Sequence, residues 1–204
     1  METSYAARHI KSLSIAKTCV ELGARIKTIT HITGLERNEL LHLFFMDERS
    51  APRGRPPDSP EWYHHANLIE KVETSIFAAI FTNISALGFG PADSLIGAYK
   101  AYRERCTQPP RITFDRAFDL VCHIRGIWAR RRRQLSLNVC QNCHSQYLAA
   151  IGDHSTDLTG CPFCKLVQRY PRDKRIQATF PQRPIPHVSP THFGLLSAFF
   201  APDV

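Results

Sequence analysis

Residues 138–165 have few ways to fold, because they hold two short cysteine pairs: Cys140-Gln-Asn-Cys143, seventeen intervening residues, then Cys161-Pro-Phe-Cys164. A gap of two residues lets one tight turn present two sulfurs and aim backbone amides at them, which stabilises the thiolates. Two such turns, at this separation, supply the four soft ligands that zinc takes at tetrahedral corners about 2.3 Å away.

Three other chemistries compete for these residues. Disulfides need an oxidising compartment, and the N-terminus has no basic cluster followed by an apolar stretch; no leader is read there, and the reducing cytoplasm is expected. A redox pair of the thioredoxin kind uses one Cys-x-x-Cys and leaves the second without a role. Cys140-x-x-Cys143-His144 matches the attachment motif for c-type haem. That attachment normally follows export, and it too would leave Cys161 and Cys164 idle. Zinc uses all four sulfurs. A closed shell of four thiolates leaves no open coordination position, so one structural ion per chain is expected. It would replace the core that a module of ~27 residues is too small to build. Cys19, Cys106 and Cys122 fall on helical stretches and read as packed thiols.

The remainder reads as helix, giving an all-α, multi-helix body with a small C-terminal four-cysteine zinc module. Within 8–48, Ile10, Leu13, Ala16 and Val20 form a stripe near helical period that ends at Glu21-Leu22-Gly23, and Leu40, Leu41, Leu43 and Phe44 form another. Four prolines and a glycine in 50–60 cannot continue a helix. Ser59-Pro60-Glu61 then offers a capping hydroxyl, proline at the first helical position and an early acid. From there a long helix is expected over 61–87, a second from Pro91 to about Arg105, and a third over 112–133. The last carries Phe114, Ala117, Phe118, Val121, Cys122, Ile124, Ile127 and Trp128 inward. Beyond Ile176 the chain is proline-rich and is expected to be poorly ordered alone. With 43% hydrophobic and 22% charged residues, the 204-residue chain suits a globular protein. No apolar run reaches the length of a membrane span.

The formal net charge of +8 is segregated: residues 1–102 hold 11 Lys/Arg and 11 Asp/Glu, whereas 103–204 hold 15 and 7. A surface for a polyanion would be built this way, although a solvated basic face is the plainer alternative. In sequence, arginine brackets the cysteines. Arg125, Arg130, Arg131, Arg132 and Arg133 precede them; Lys165, Arg169, Arg172, Lys174 and Arg175 follow. Such clusters suit phosphate neutralisation, in which each contact releases a counterion. Phosphate contacts position a protein but do not read bases. Around Thr33-Gly34-Leu35, two short helices crossing steeply would form a helix-turn-helix-like segment whose second helix exposes Arg37, Asn38 and His42. Arg37 and Asn38 suit guanine and adenine edges. A helical hairpin buried in the core is the alternative reading.

Several of these features occur together in one family. Glu21-Leu22-Gly23-Ala24-Arg25, the glycine-bearing helical turn, Trp62 at the start of the long helix, Ala98-Tyr99-Lys100-Ala101-Tyr102 and the paired cysteines, in this order, resemble the bacterial flagellar transcriptional regulator FlhC family over roughly residues 10–175. The resemblance implies an all-helical body whose zinc ligands are Cys140, Cys143, Cys161 and Cys164. It also implies a small helical partner, FlhD, in a hetero-oligomer of four FlhD and two FlhC chains that binds duplex promoter DNA of flagellar operons and activates transcription with RNA polymerase. His144 and the tail have no counterpart in it. The apolar helices at 61–87 and 112–128 offer hydrophobic surface for such a partner to cover.

The expected organisation is therefore an N-terminal helical segment (1–49), a proline-rich linker (50–60), a helical core and partner-binding region (61–134), a zinc module with basic flanks (135–176) and a tail (177–204). An RNA-binding zinc-ribbon protein is the rival function, although the aromatics lie mostly on helical stripes and not on an exposed sheet. No enzyme is expected. Metalloprotease, phosphate-loop and nucleophile-elbow motifs are missing, and the adjacent His64 and His65 face different directions on a helix.

Overall fold

The computed structural model describes residues 4–45, 50–55, 57, 59–106, 109–152 and 160–181. Helix α1 (Tyr5–Glu21) starts where the Ser4 hydroxyl accepts the Ala7 amide at 3.2 Å. It buries Ala16 and Cys19, whereas Ile10 remains 66% exposed, so its inward face is rotated from the expected stripe. Helices α2 (Ile26–Thr33) and α3 (Arg37–Phe44) flank a three-residue turn begun by Gly34 at φ 76°, a left-handed position that suits glycine. Ile29 and Leu40 are buried and close this pair, while Leu43, expected inward, is half exposed.

What ties α2 to the rest is a carboxylate from far along the chain. Asp115 Oδ1 accepts the Arg25 amide at 3.1 Å and the Thr28 hydroxyl at 2.5 Å, and Oδ2 accepts Arg25 Nη1 at 2.6 Å. A buried acid thus supplies the cap that α2 lacks locally, at the positive end of its dipole. Arg25 also donates from Nε to the Arg53 carbonyl at 3.1 Å, which holds part of the proline-rich segment against the body.

The long helix expected over 61–87 is two helices. α4 (Glu61–His64) is a single turn, and α5 (Leu68–Ala86) starts anew at Asn67. Asn67 Oδ1 accepts the Glu70 amide at 3.0 Å and Glu70 Oε2 accepts the Asn67 amide at 3.2 Å, a reciprocal capping box that favours a fresh start over continuation. Helix α6 (Pro91–Arg105) has the expected bounds, with proline at its first position. Helix α7 (Phe114–Arg125) begins at the Thr113 cap and ends eight residues earlier than expected, at Gly126. There φ is 68°, and the Gly126 amide donates to the Cys122 carbonyl at 2.8 Å. Ile127 and Trp128 still pack against the core, but from a loop that folds back along α7, Trp128 stacking on Phe118 at 5.3 Å.

The core lies among α5, α6 and α7, around Phe77, Phe81, Leu95, Tyr102, Phe114 and Leu120. It also holds a fully buried acid, Glu73. Its Oε2 accepts the Tyr102 hydroxyl at 2.6 Å, and its Oε1 lies 3.4 Å from Arg111 Nε. Burial raises its pKa, against the hydrogen bond from Tyr102 and the charge of Arg111.

Among the described residues, the fold departs from all-α in one place. β1 (Leu135–Val139) and β2 (Gln146–Ala150) form an antiparallel hairpin with Leu137 opposite Leu148. The alternation Leu-Ser-Leu-Asn-Val in β1 is that of a half-buried strand. Leu135 and Leu148 join the same core as the helices. The Leu148 amide donates to Ser75 Oγ at 3.2 Å, and its carbonyl accepts the Tyr63 hydroxyl. After the hairpin come α8 (Pro162–Arg169) and α9 (Lys174–Thr179), the latter capped by Asp173. Ordered structure therefore passes Ile176: Thr179 is buried and its hydroxyl accepts Arg111 Nη2 at 3.2 Å. The expectation for the tail otherwise falls on 182–204, outside the described residues. Among the described residues, no helix is long and apolar enough to cross a membrane.

Candidate metal centre and basic surface

The two cysteine pairs are presented by different local structures. Cys140 and Cys143 occupy the turn of the hairpin, closed by the Cys140 amide donating to the Ser145 carbonyl at 3.0 Å and the His144 amide donating to the Cys140 carbonyl at 2.9 Å. His144 takes the left-handed position of that turn, at φ 56°, with its side chain exposed. Its place in Cys-x-x-Cys-His is thus explained by the turn. Cys161 is the N-cap of α8, and Pro162 and Cys164 fall in its first turn, where the helix dipole favours negative sulfur.

Folding brings all four sulfurs within 4.8 Å of one another, with Cys140–Cys164 and Cys143–Cys161 each at 3.7 Å. A tetrahedron with arms of about 2.3 Å has edges of about 3.8 Å, so the geometry is consistent with zinc. The amides of Asn142 and Cys143 point at Cys140 sulfur, and those of Phe163 and Cys164 at Cys161 sulfur. Asn142 Nδ2 lies 3.5 Å from Cys164 Sγ. The thiols differ in readiness to ionise. The Ser145 amide, and then its hydroxyl, hold exposed Cys143 down to about 6, whereas burial pushes Cys161 up to about 12. A divalent cation at the centre would supply the charge that lets the buried thiol join as thiolate. The residues are placed to hold one metal ion, with no position left for a substrate. Sequence reasoning does not single out Asn142 and Ser145, although both lie in or beside the Cys-x-x-Cys turn. The remaining cysteines are packed as expected: burial pushes Cys19, Cys106 and Cys122 up to about 12.

The arginine run that precedes the cysteines is not gathered around the sulfurs. Arg130 to Arg133 lie on the loop between α7 and β1, at the end of the hairpin away from the cysteine turn. Five strand residues separate the two ends, roughly 16 Å. Arg131, Arg132 and Arg133 are exposed, as is Arg125 at the C-terminus of α7. Arg130 turns inward. Its side chain is 27% exposed, with Nη2 3.8 Å from Oδ1 of buried Asp119. Asp119 also accepts Trp62 Nε1 at 2.9 Å on Oδ2 and has His123 Nε2 3.3 Å from Oδ1. Arg116 stacks over Trp62, 4.9 Å from its ring centroid. No sequence pattern marks Asp119 or Asp115 as the clamps of this region.

On the other side of the cysteines, Lys165 and Arg169 lie on α8, Arg172 in the turn, and Lys174 and Arg175 on α9; all but the half-buried Lys165 are exposed. Arg37 and Asn38 are exposed at the start of α3, on the N-terminal pair of helices.

Comparison with known proteins places this arrangement. Residues 1–177 match the family model described as flagellar transcriptional activator (FlhC). The chain is 26% identical over 178 residues to the flagellar transcriptional regulator FlhC of Paraburkholderia atlantica, covering 85% of this chain and 78% of that one. To the regulator of the same name from Proteus mirabilis it is 23% identical over 184 residues, covering 87% and 91%. To that of Enterobacter cloacae subsp. cloacae it is 25% identical over 206 residues, covering 97% and 94%.

Proposed function

Since the chain belongs to the FlhC family of flagellar transcriptional activators, a family of regulators and not of enzymes, we propose that it binds duplex promoter DNA of flagellar operons as a zinc-containing subunit of a hetero-oligomer with an FlhD-like helical partner. It acts there on RNA polymerase. The observation that carries this reading is the sulfur quartet that joins α8 to a hairpin docked into the helical core. One zinc ion, bound by Cys140, Cys143, Cys161 and Cys164, makes that hairpin and α8 a rigid frame.

The frame displays cations at two separated places, Arg131 to Arg133 at one end and the α8–α9 residues at the other. Spaced charges of this kind follow a phosphate backbone and provide affinity without base reading. Arg130 serves as the anchor of its loop. Arg37 and Asn38, exposed on α3, are the residues offered for base edges. The exposed Leu87 and Phe89, between α5 and α6, and Ile10 on α1 are apolar surface for the partner.

The test is co-expression with the FlhD-like partner, followed by metal analysis and promoter binding on the purified complex at several salt concentrations. One zinc per chain and steeply salt-dependent binding of duplex DNA are expected. Tighter binding of single-stranded RNA in direct competition would overturn the DNA reading.

A further inference from the structure

A cleft of about 480 Å³ lies between the start of α5 and the α8–α9 turn, on the face of α5 where Arg111 emerges. Its floor includes Leu68 and Ile69, and three arginines from three separate stretches of chain line it: Arg111 before α7, Arg169 at the end of α8 and Arg175 in α9. Arg111 is held in place from behind, by Glu73 at 3.4 Å and by the Thr179 hydroxyl at 3.2 Å. Among the described residues, the guanidinium groups of Arg169 and Arg175 have no carboxylate partner. Among the described residues, the one acid lining the cleft, Asp173, is engaged: its Oδ1 accepts the amides of Arg175 at 2.9 Å and Ile176 at 3.4 Å. Leu68 and Ile69 are the first residues of a 19-residue helix; the Asn67 and Glu70 amides at its start are taken up by the capping box, and among the described residues no group accepts the amides of Leu68 and Ile69.

Like charges converging on one cavity repel one another unless an anion sits between them, and guanidinium forks fit phosphate oxygens bidentately. We propose that this cleft is a phosphate seat, in which Arg111, Arg169 and Arg175 grip a single phosphate group against the start of α5. Two sources offer that chemistry, a phosphodiester of bound DNA and a free phosphate-bearing small molecule. The first deepens the DNA reading given above; the second is independent of it.

The test uses the full-length, zinc-loaded chain and inorganic phosphate, titrated against chloride at equal ionic strength and read by calorimetry and thermal unfolding. Wild type is expected to bind phosphate and to unfold at a higher temperature in it. The pair Arg169→Gln, Arg175→Gln should weaken binding at least tenfold. The pair Glu73→Gln, Arg111→Gln leaves net charge unchanged and should also weaken it, which bulk electrostatics would not do. Lys17→Gln with Lys100→Gln removes two exposed charges away from the cleft and should leave phosphate binding intact. Equal phosphate binding in wild type and both cleft variants, or none in wild type, overturns the seat.

The DNA arm assigns the source. If a DNA phosphodiester is seated, phosphate competes with duplex DNA and the charge-neutral pair flattens the salt dependence by about one phosphate contact. If the ligand is a small molecule, that pair loses phosphate binding but keeps the DNA salt slope. Failure of the wild-type complex with the FlhD-like partner to bind DNA would sink the function proposed above, while the phosphate titration would still decide whether the cleft is a seat.

Discussion

Between α5, α6 and α7, side chains such as Phe77, Leu95 and Leu120 exclude water over a wide interior. Around Cys140 to Cys164 the centre is four sulfurs within 4.8 Å of one another. In the first region stability is spread over many contacts, each worth a few kcal/mol at most. In the second, on the zinc reading proposed above, it would be concentrated in one coordination shell, which fails as a unit. The body also buries charge, yet Asp115, Asp119 and Glu73 each meet partners from another segment of the chain and act as clamps between elements.

The largest contrast is expected from Cys161→Ser. Metal affinity should fall by more than the roughly 100-fold typical of losing a supporting hydrogen bond, and the 135–181 region should become protease-sensitive. The helical circular dichroism of the body should largely persist. Collapse of the whole helical signal would show that the two regions are one cooperative unit. Within the body, Asp115→Ala leaves the Arg25 amide and the Thr28 hydroxyl without their acceptor and should cost about 3 kcal/mol, measured by urea unfolding.

Leu148→Ala probes the seam. It deletes a hairpin side chain that is 2% exposed in the common core, so a loss of about 2–3 kcal/mol from the body's transition is expected. An unchanged body transition would mean that the hairpin only rests on it.

Glu73 provides a smaller, pH-dependent effect. Its folded-state pKa is raised, so its stabilising contribution is complete below the usual glutamate range and declines as pH rises through the folded value. Glu73→Gln should flatten the pH dependence of the melting temperature above the usual glutamate range.

The smallest effects should come from the arginine loop. Neutralising Arg131 and Arg133 should reduce the logarithmic salt slope of DNA binding by about 0.9 for each phosphate that is no longer neutralised. Arg130→Gln should leave the slope nearly unchanged while lowering stability, because its charge faces Asp119.

The two regions also differ in how far their sequences disclose them. The sulfur quartet is legible because coordination geometry dictates spacing directly, and helix α6 because Gly90-Pro91 starts it without ambiguity. At α7 the apolar residues Ile127 and Trp128 continue the helical stripe past its true end, since a loop folded against the core needs apolar residues too. Asn67-x-x-Glu70 carries a capping signal that the run of hydrophobic residues masks. The strand alternation at 135–139 is short enough to be lost beside the cysteines. Nothing local marks Asp115, Asp119 and Glu73 as buried, because partners such as Arg25, Trp62 and Tyr102 lie 29 to 90 residues away from them.

Gly126 ends α7 at a point where an added Cβ would lie 3.3 Å from the backbone of both Arg132 and Arg133. The stop signal of the helix and the seat of the arginine loop are thus one atom-sized space. A change there would move the cationic loop as a body, even though it altered no charge. On the promoter-binding reading proposed above, selection on affinity would therefore reach this glycine without any substitution among the arginines themselves.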